Sequence, residues 1–346
     1  MGKVYLEIHP DFKLNGKEFC ISDLKSKNNT AFINNSELFR FFKEWFNEKN
    51  TMSLKTSGST GNPKNILIRK KDMVTSAKNT GEYFRLTRGN KALLCLPIKF
   101  IAGKMMIIRS IVLGLDLHIM APTISPLESC LEVFDFAAMT PLQLEKSILF
   151  LHKVKCLIVG GSPISDSLAK QVFGFSEVYE TYGMTETVSH VAVKNLSRGE
   201  KYFSALPGIT FSVKKDCLAI LAPFISKTPI LTNDNVDLIS KTEFKWVGRN
   251  DFIINSAGIK LNPEEIENHL SSFFDTRFVI SSILDKDFGE KVVIVFEKET
   301  PHNIDSVLNN LHKYERPKKV FVISSLRTIN GKIDRNYIKN EILKLI

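Results

Sequence analysis

The nine residues at positions 56–64 combine hydroxyl side chains, two glycines and a lysine in the order Thr-Ser-Gly-Ser-Thr-Gly-Asn-Pro-Lys. Backbone N–H groups, hydroxyl groups and an ammonium group in such a run can converge on a polyphosphate. The close spacing of Gly58 and Gly61, and Asn65 after the lysine, distinguish the run from the Walker A motif. It therefore predicts a phosphate-binding loop of another kind, and the alternative interpretation is a Ser/Gly-rich turn.

Two later loops follow apolar, strand-like runs and carry groups suited to a nucleotide. The first contains Gly160, Gly161 and Ser162, and its paired glycines let the backbone approach a flat ligand closely. The second loop follows the run 178–182. Either loop alone would more often be a structural turn, but their order after the hydroxyl-rich run predicts a nucleotide site.

The second loop begins at the end of its strand and offers three kinds of contact. Tyr182 can stack on a base, Gly183 begins the turn, Thr185 can donate to a phosphate, and Glu186 offers a carboxylate to magnesium. Further along the chain, Asp234 could hold ribose hydroxyls.

The elements that must position these residues alternate between strand-like and helical patterns. Strand candidates lie at 66–68, 92–96, 117–120, 136–139 and 156–159, and helix candidates lie at 71–84, 103–113, 141–152 and 165–173. This alternation predicts an α/β fold with a largely parallel sheet between helices. Such sheets bind ligands at the carboxyl ends of their strands. Residues 201–245 instead have the pattern of short antiparallel strands, and residues 251–346 that of a separate small α/β unit.

A helix with an aromatic face precedes the phosphate loop, over residues 36–50. One face carries Leu38, Phe39, Phe42, Trp45 and Phe46. This arrangement is typical of core packing rather than of a cofactor site.

Composition limits the class of protein. A chain of 346 residues suggests two domains, and its net charge of +10 would suit nucleic acid, an anionic membrane or anionic small molecules. The lysines are dispersed along the chain rather than clustered. Dispersed lysines favour anionic small molecules and argue against a nucleic-acid partner.

The cysteines and the apolar segments indicate the compartment. Five cysteines without CxxC spacing argue against a disulfide framework or a zinc site and fit a reducing cytoplasm. The first residues contain no apolar run of signal-peptide length, and the segment 105–121 is interrupted by Arg109 and Asp116. We therefore expect a cytoplasmic protein without membrane insertion; the oligomeric state stays open.

In their order along the chain, these motifs resemble the core motifs of the adenylate-forming enzymes, the AMP-binding family that includes acyl-CoA synthetases and firefly luciferase. The matching segments are residues 56–64, 182–186, Asp234, 248–251 with the glycine loop after it, and 330–332. The resemblance implies a large N-terminal domain, residues 1–250, of stacked α/β sheets with a small antiparallel unit. It also implies a small mobile C-terminal α+β domain, residues 251–346.

Within that family the sequence is most similar to the short o-succinylbenzoate-CoA ligases of menaquinone biosynthesis, on its length and on the segment 92–106. Three departures stand out. The segment before the phosphate loop is shorter than in most members, so the N-terminal domain is expected to be truncated. Phe100 stands where a histidine is common, and Asn233 replaces the glycine of the usual Thr-Gly-Asp.

The resemblance implies a two-step reaction that uses ATP, Mg²⁺ and coenzyme A. A carboxylate attacks the α-phosphate of ATP to give an acyl-adenylate and pyrophosphate, and the thiol of coenzyme A then displaces AMP. The residues that would hold the phosphates are Thr56, Ser57, Gly58, Ser59, Thr60, Gly61 and Lys64, with Thr185 beside them and Glu186 as the magnesium ligand. Those that would enclose adenine and ribose are Gly160, Gly161, Ser162, Tyr182, Gly183, Asp234 and Arg249.

The remaining implied roles concern the mobile domain. Lys332 would bridge the carboxylate and the nucleotide in the first step. Asp251 would be the hinge, and its alternative interpretation is a surface acid. The Gly258 loop would face the adenylate after the domain turns.

The resemblance implies that an apolar segment lines the acyl pocket, and Lys99, Lys104 and Arg109 lie in or beside that segment. Lys99, Phe100, Lys104 and Arg109 are the candidate substrate residues, and the three cations favour an aromatic acid with a second carboxylate. Each cation could instead face solvent. Two alternatives for the function stay open: a ligase for another acid or for a carrier protein, and a relative that binds nucleotide without catalysis.

Overall fold

The computed structural model describes residues 8–19, 21, 36–55, 65–175, 177–302, 304–329 and 332–346. The chain divides into two compact units. The first contains Met1–Pro163, Gln171–Thr210 and Leu221–Ile230, and the second contains Ile164–Lys170, Phe211–Ile220 and Leu231–Ile346. The sequence predicts a division after residue 250, with a mobile domain over residues 251–346. That division stays a prediction.

The first unit is an α/β unit with a mostly parallel sheet. Its strands are β1 (Lys13–Leu14), β2 (Lys17–Glu18), β3 (Thr51–Lys55), β4 (Asn65–Arg69), β5 (Lys91–Leu94), β6 (Asp116–Ile119), β7 (Phe134–Met139), β8 (Val154–Val159), β9 (Glu177–Gly183), β10 (His190–Asn195) and β11 (Phe203–Ala205). Its helices are α1 (Ser36–Trp45), α2 (Lys70–Tyr83), α3 (Ile101–Leu113) and α4 (Pro141–Ser147).

The sheet of this unit has the strand order β11-β10-β9-β8-β7-β5-β6-β1-β2. The central strands from β6 to β9 pair in parallel, whereas β9, β10 and β11 pair antiparallel. The strands β3 and β4 form a separate antiparallel pair. The predicted α/β class is confirmed, and the carboxyl ends of β8 and β9 lie at one edge because these two strands run in parallel.

Packing explains where the helices of this unit begin and end. The aromatic face of α1 is in the core as predicted, with Phe42 and Trp45 buried together with Phe41. The helix ends at Trp45 rather than continuing to residue 50. The helix predicted over 141–152 is α-helical only to Ser147, and its Thr140–Gln143 capping box fixes the start.

Helix α3 is apolar on nearly all sides because it lies inside the unit. Its residues from 105 to 111 are buried, including Arg109. Gly103 packs so closely that a Cβ atom there would lie 2.5 Å from the carbonyl oxygen of Pro97. The helix ends at Leu113, and the C-cap residue Gly114 has a φ of 70°, in the left-handed region that favours glycine.

The second unit contains smaller sheets. Its strands are β12 (Thr210–Lys214), β13 (Cys217–Leu221), β14 (Ile230–Leu231), β15 (Asp234–Leu238), β16 (Glu243–Arg249), β17 (Ile254–Ser256), β18 (Ile259–Leu261), β19 (Phe278–Asp285), β20 (Gly289–Glu297), β21 (Lys319–Ile323), β22 (Thr328–Ile329) and β23 (Lys332–Ile333). Its helices are α5 (Asp166–Gln171), α6 (Pro263–Leu270), α7 (Ile304–Leu308) and α8 (Arg335–Leu343).

The sheet built from β17 to β21 has an apolar cluster on each face. Ile280 and Ile294 pack with α6 on one face, and Val279 and Val293 pack with α8 on the other. This arrangement follows from the alternation of side chains along paired strands. The pair β15 and β16 is antiparallel, as the pattern of residues 201–245 predicts.

Two further findings bear on the sequence analysis. Four described cysteines, Cys95, Cys130, Cys156 and Cys217, are free thiols. Within the described part of the chain, no helix combines the length and the apolar character needed to cross a membrane.

Candidate active site

The predicted phosphate loop connects β3 to β4. Residues 56–64, including Lys64, lie outside the described residues, so their predicted contacts stay a prediction. The two strands that flank them pair from Thr51 opposite Arg69 to Lys55 opposite Asn65. The loop therefore begins and ends at two neighbouring positions of one hairpin.

The loop after β8 contains two glycines with different surroundings. A Cβ atom at Gly160 would lie 2.3 Å from Thr181 Oγ1, and that hydroxyl donates to the carbonyl oxygen of Val159 at 3.0 Å. Gly161 has a φ of 105°, and no described atom outside its chain neighbours lies within 4 Å of a Cβ placed there. Ser162 is half-buried next to it. A flat ligand could thus approach the backbone at Gly161 without meeting a side chain, whereas Gly160 makes room for the Thr181 hydroxyl.

The loop after β9 is a tight turn that presents a carboxylate to solvent. A Cβ atom at Gly183 would lie 2.4 Å from the carbonyl oxygen of Ser189, so the chain returns too closely for a side chain there. Thr185 and Glu186 belong to a 3-10 turn, Thr185–Thr187, in which Glu186 is exposed. The Thr187 hydroxyl fixes this turn by accepting from the N–H of Met184 at 2.9 Å.

Glu186 has the chemistry of a magnesium ligand. Magnesium in nucleotide sites is held by one or two carboxylates together with phosphate oxygens, so a single exposed carboxylate fits. No group of three His, Cys, Asp or Glu side chains suited to a metal occurs among the described residues. The ion would therefore depend on the nucleotide for most of its ligands.

The turn ends in a strained residue, Val188. Its φ of 69° and ψ of −52°, with the Ser189 N–H donating to the carbonyl oxygen of Thr187 at 2.8 Å, define a γ-turn with positive φ. This conformation is rare and costs about 1 to 3 kcal/mol for a residue with a Cβ. Buried packing compensates for it, since Val188 is 2% exposed. The strained turn joins the Glu186 segment to Ser189 and His190.

Arg109 lies in the centre of a polar cluster inside the first unit. Its Nη2 donates to Ser189 Oγ at 2.7 Å and lies 3.3 Å from His190 Nδ1, while its Nε donates to Thr80 Oγ1 at 3.3 Å. Its Nη1 contacts the sulfur of Met106 at 3.6 Å. The residue is 2% exposed.

The cluster around Arg109 lacks an anion. Among the described residues, no carboxylate lies within 4 Å of its guanidinium group, and burial lowers the pKa of Arg109 to about 9. Burial and Arg109 together lower the pKa of His190 well below its ordinary value. A buried cation with only neutral partners is costly, and such sites are often functional.

The other three candidate substrate residues have different surroundings. Lys104 Nζ lies 3.7 Å from the Glu44 carboxylate and 5.4 Å from the centre of the Phe41 ring. Lys99 is exposed, and its Nζ lies 5.0 Å from the centre of the ring of Phe100, the N-cap residue of α3. Arg109 is thus the one of the three predicted cations that has neither a carboxylate partner nor solvent exposure.

In the second unit, the predicted ribose and hinge residues lie together. Arg249 Nη2 donates to Asp251 at 2.7 Å, and Arg249 Nη1 lies 3.8 Å from Asp234 Oδ1. The indole N–H of Trp246 points to the same Asp234 oxygen at 3.4 Å. Asp234 is buried, whereas Asp251 is partly exposed and also accepts from Asn233.

Two other predicted residues lie on hairpins of the second unit. Gly258, with a φ of 81°, follows Ala257 in the two-residue turn between β17 and β18. Ala257 also has a positive φ, of 51°, and a two-residue hairpin turn with two positive φ values favours glycine. The backbone of Lys332 begins β23 and pairs with Ile329 of β22. Its two preceding residues lie outside the described part.

Sequence reasoning missed three members of the Arg109 cluster, namely Thr80, Ser189 and His190. Ser189 and His190 stand three and four residues after the motif 182–186, and this proximity is the single local signal that could have drawn attention to them. Thr80 lies on α2 and carries no signal of its own, because its contact with Arg109 spans 29 residues.

The chain is similar to several known proteins. Residues 47–215 match the family model described as AMP-binding enzyme. The 2-succinylbenzoate–CoA ligase of Haemophilus influenzae is 24% identical over 94% of this chain and 77% of its own length.

Solved structures also match most of the chain. An acyl-CoA synthetase (AMP-forming)/AMP-acid ligase II-like protein from Dyadobacter fermentans is 32% identical, with a TM-score of 0.60, over 92% of this chain and 97% of its own. The O-succinylbenzoate coenzyme A synthetase of Bacillus subtilis, in complex with ATP and magnesium ion, has a TM-score of 0.75 and 19% identity over 83% of this chain and 69% of its own, and supports the fold. By these similarities, the chain belongs to the AMP-binding enzyme family of AMP-forming acyl-CoA synthetases.

Proposed function

We propose that this protein is an ATP-dependent acid–CoA ligase that converts o-succinylbenzoate to o-succinylbenzoyl-CoA, a step of menaquinone biosynthesis. Family membership supports the adenylate-forming reaction. The name of the Haemophilus influenzae relative supports the choice of acid. The observation that carries the proposal is the buried Arg109, a cation that lacks an anionic partner among the described residues.

The acid explains why such a costly residue is present. o-Succinylbenzoate has two carboxylates, of which one reacts and the other must be recognised. A guanidinium group desolvated in advance binds a carboxylate more strongly than an exposed ammonium group does, because a charge-assisted pair gains strength away from water. Arg109 on α3 would recognise the unreactive carboxylate, and Phe100 would line the apolar part of the pocket.

In the first half-reaction the protein would bring two anions together. Residues 56–64 would hold the β- and γ-phosphates, Thr185 would donate to a phosphate, and Gly160 with Tyr182 would enclose adenine. Magnesium, held through Glu186, would neutralise phosphate charge. The acid's oxygen would then form a bond to the α-phosphorus as the bond to pyrophosphate breaks.

In the second half-reaction the thiol of coenzyme A would attack the acyl carbon, its proton would leave, and AMP would depart with the bonding electrons. The two steps need different residues at the same site, and the C-terminal domain would turn about Asp251 to bring them there. Lys332 would serve the first step, and the Gly258 loop would serve the second. Asp234 and Arg249 would hold the ribose in the first step.

We also propose a cytoplasmic location. It is supported by four free thiols among the described cysteines, which fit a reducing compartment. ATP and coenzyme A are both available there.

Pyrophosphate release with a panel of acids tests the function. The panel contains o-succinylbenzoate, 4-oxo-4-phenylbutanoate, which lacks the ring carboxylate, and a medium-chain fatty acid. We expect kcat/KM for o-succinylbenzoate to exceed that of the acid without the ring carboxylate about a hundredfold or more, because a site built for a charged group rejects an analogue without it. Faster turnover of the fatty acid would contradict the proposal.

The acceptor needs its own measurement. Thioester formation is followed with coenzyme A and, in parallel, with a phosphopantetheine-bearing carrier protein after adenylation. We expect acyl transfer to coenzyme A to need a lower acceptor concentration than acyl transfer to the carrier protein. Transfer to the carrier protein alone would mean that the protein is a carrier-protein ligase and not a coenzyme A ligase.

A further inference from the structure

His190 is a buried residue at the start of β10 whose ring lies between two members of the Arg109 cluster. Its Nδ1 lies 3.3 Å from Arg109 Nη2 and 3.4 Å from Ser189 Oγ, and its Nε2 lies 3.5 Å from Thr80 Oγ1. The ring also packs edge-on against Phe84, with 6.2 Å between ring centres. The imidazole is therefore held by contacts on several sides.

The chemistry of the neighbours decides which nitrogen of His190 carries the proton. A guanidinium group can only donate hydrogen bonds, so Nδ1, which faces Arg109, must be the acceptor. The proton of the neutral ring then lies on Nε2, which points to Thr80. The Thr80 hydroxyl donates to the carbonyl oxygen of Ser76 at 3.0 Å, which leaves its lone pairs for His190 and for Arg109 Nε.

This assignment gives each end of the guanidinium group a different environment. Nε and Nη2 have oxygen or nitrogen acceptors from Thr80, Ser189 and His190. Among the described residues, Nη1 has the Met106 sulfur, a weak acceptor, at 3.6 Å. Nη1 is thus the nitrogen with most hydrogen-bonding capacity left for a ligand.

We propose that His190 is a positioning residue that holds the Nη2 end of Arg109 and so directs Nη1 to the unreactive carboxylate of the acid. The inference rests on the proposed function, because it assumes that Arg109 reads that carboxylate. His190 acts through Arg109 and does not itself contact the acid. The neutral ring adds no second positive charge that would push the guanidinium group away.

The experiment compares two substitutions that differ in whether an acceptor remains. In His190→Asn the amide oxygen occupies the place of Nδ1 and can accept from Arg109, whereas His190→Leu keeps the volume and removes the acceptor. His118→Leu is the matched control, since this half-buried histidine of the same unit contacts Asp116 at 3.1 Å and lies outside the Arg109 cluster. Each variant is assayed for pyrophosphate release with o-succinylbenzoate and with 4-oxo-4-phenylbutanoate.

We expect His190→Leu to raise KM for o-succinylbenzoate about tenfold, the effect of losing one hydrogen bond to a charged group. The values of kcat, of KM for ATP and of kcat/KM for 4-oxo-4-phenylbutanoate should change less than about threefold. His190→Asn and His118→Leu should retain the wild-type KM. This split between the two acids would not arise from a general loss of folding.

The outcomes separate the inference from the function. A wild-type enzyme that does not prefer o-succinylbenzoate over the acid without the ring carboxylate would overturn the proposed function. A wild-type enzyme with that preference, together with equal losses for both acids in His190→Leu or no rescue in His190→Asn, would overturn the positioning role alone.

Discussion

Asn233 donates its side-chain amide to Asp251, and its Nδ2 lies 3.1 and 3.4 Å from the two carboxylate oxygens. The same carboxylate accepts from Arg249 at 2.7 Å. Position 233 is a glycine in the family pattern that the sequence resembles, so the amide donor is a departure from that pattern. If Asp251 is the hinge, its carboxylate is tied by one more bond than a glycine would allow.

The Asn233→Ala substitution should loosen this segment without unfolding the unit. We expect backbone amides of residues 250–253 to exchange with solvent about two to ten times faster, the effect of about 0.5 to 1.5 kcal/mol for one hydrogen bond. Hydrogen exchange followed by mass spectrometry measures it. Unchanged exchange in that peptide would mean that Arg249 alone holds Asp251.

The Arg109→Met substitution should stabilise the protein and impair its function. Methionine fills a similar volume without a buried charge, so we expect the free energy of unfolding to rise by about 1 kcal/mol, the low end of the range for such replacements. The substitution also removes the contacts of Arg109 with His190 and Ser189, and this loss keeps the increase in the free energy of unfolding small. Thermal unfolding and KM for o-succinylbenzoate are measured together. A lower Tm with unchanged KM would refute the substrate role of Arg109.

The depressed pKa of His190 predicts a pH dependence of stability. The folded state binds a proton to this ring less readily than the unfolded chain, whose ordinary pKa is 6.5. His190 therefore favours unfolding as the pH falls below 6.5, by at most about 1.4 kcal/mol per pH unit. Between pH 7.5 and 5.5, Tm should fall less in His190→Asn than in the wild type. Equal falls in both proteins would show that His190 titrates normally.

The Lys332→Ala substitution should separate the two half-reactions. A lysine that bridges the carboxylate and the phosphate only while they react contributes to the transition state, so adenylation should fall on the order of a hundredfold with little change in ATP binding. Thioester formation from prepared acyl-AMP and coenzyme A should stay close to wild type. An equal loss in both assays would assign Lys332 to the fold or to both conformations.

The sequence predicted the alternating elements of the first unit well, because periodicity and turn residues are local signals. Residues 92–96 and 136–139 are close to β5 and β7. Element ends were less accurate. The helix predicted to residue 50 ends at Trp45, because its end depends on packing that no local pattern records.

The residues of the candidate site also fall into two groups, those with a local signal in the sequence and those without one. Arg109 was found because a charge in an apolar run is a local anomaly. His190 was missed because its contact with Arg109 spans 81 residues and neither residue indicates the other. The pairing of Lys104 with Glu44 was also missed, since it too joins separate elements.

The four described cysteines, of which Cys156 is half-buried and the other three are buried, affect how this enzyme can be assayed. Burial raises the pKa of Cys95 and of Cys156 to about 12 and raises that of Cys130 and Cys217 as well, so none of these four thiols ionises at neutral pH. Alkylating and disulfide reagents react with thiolates, and they should leave these four side chains unmodified in the native protein. A thiol-specific dye added in excess to samples withdrawn during the reaction would then measure the coenzyme A that remains, with little background from these four side chains.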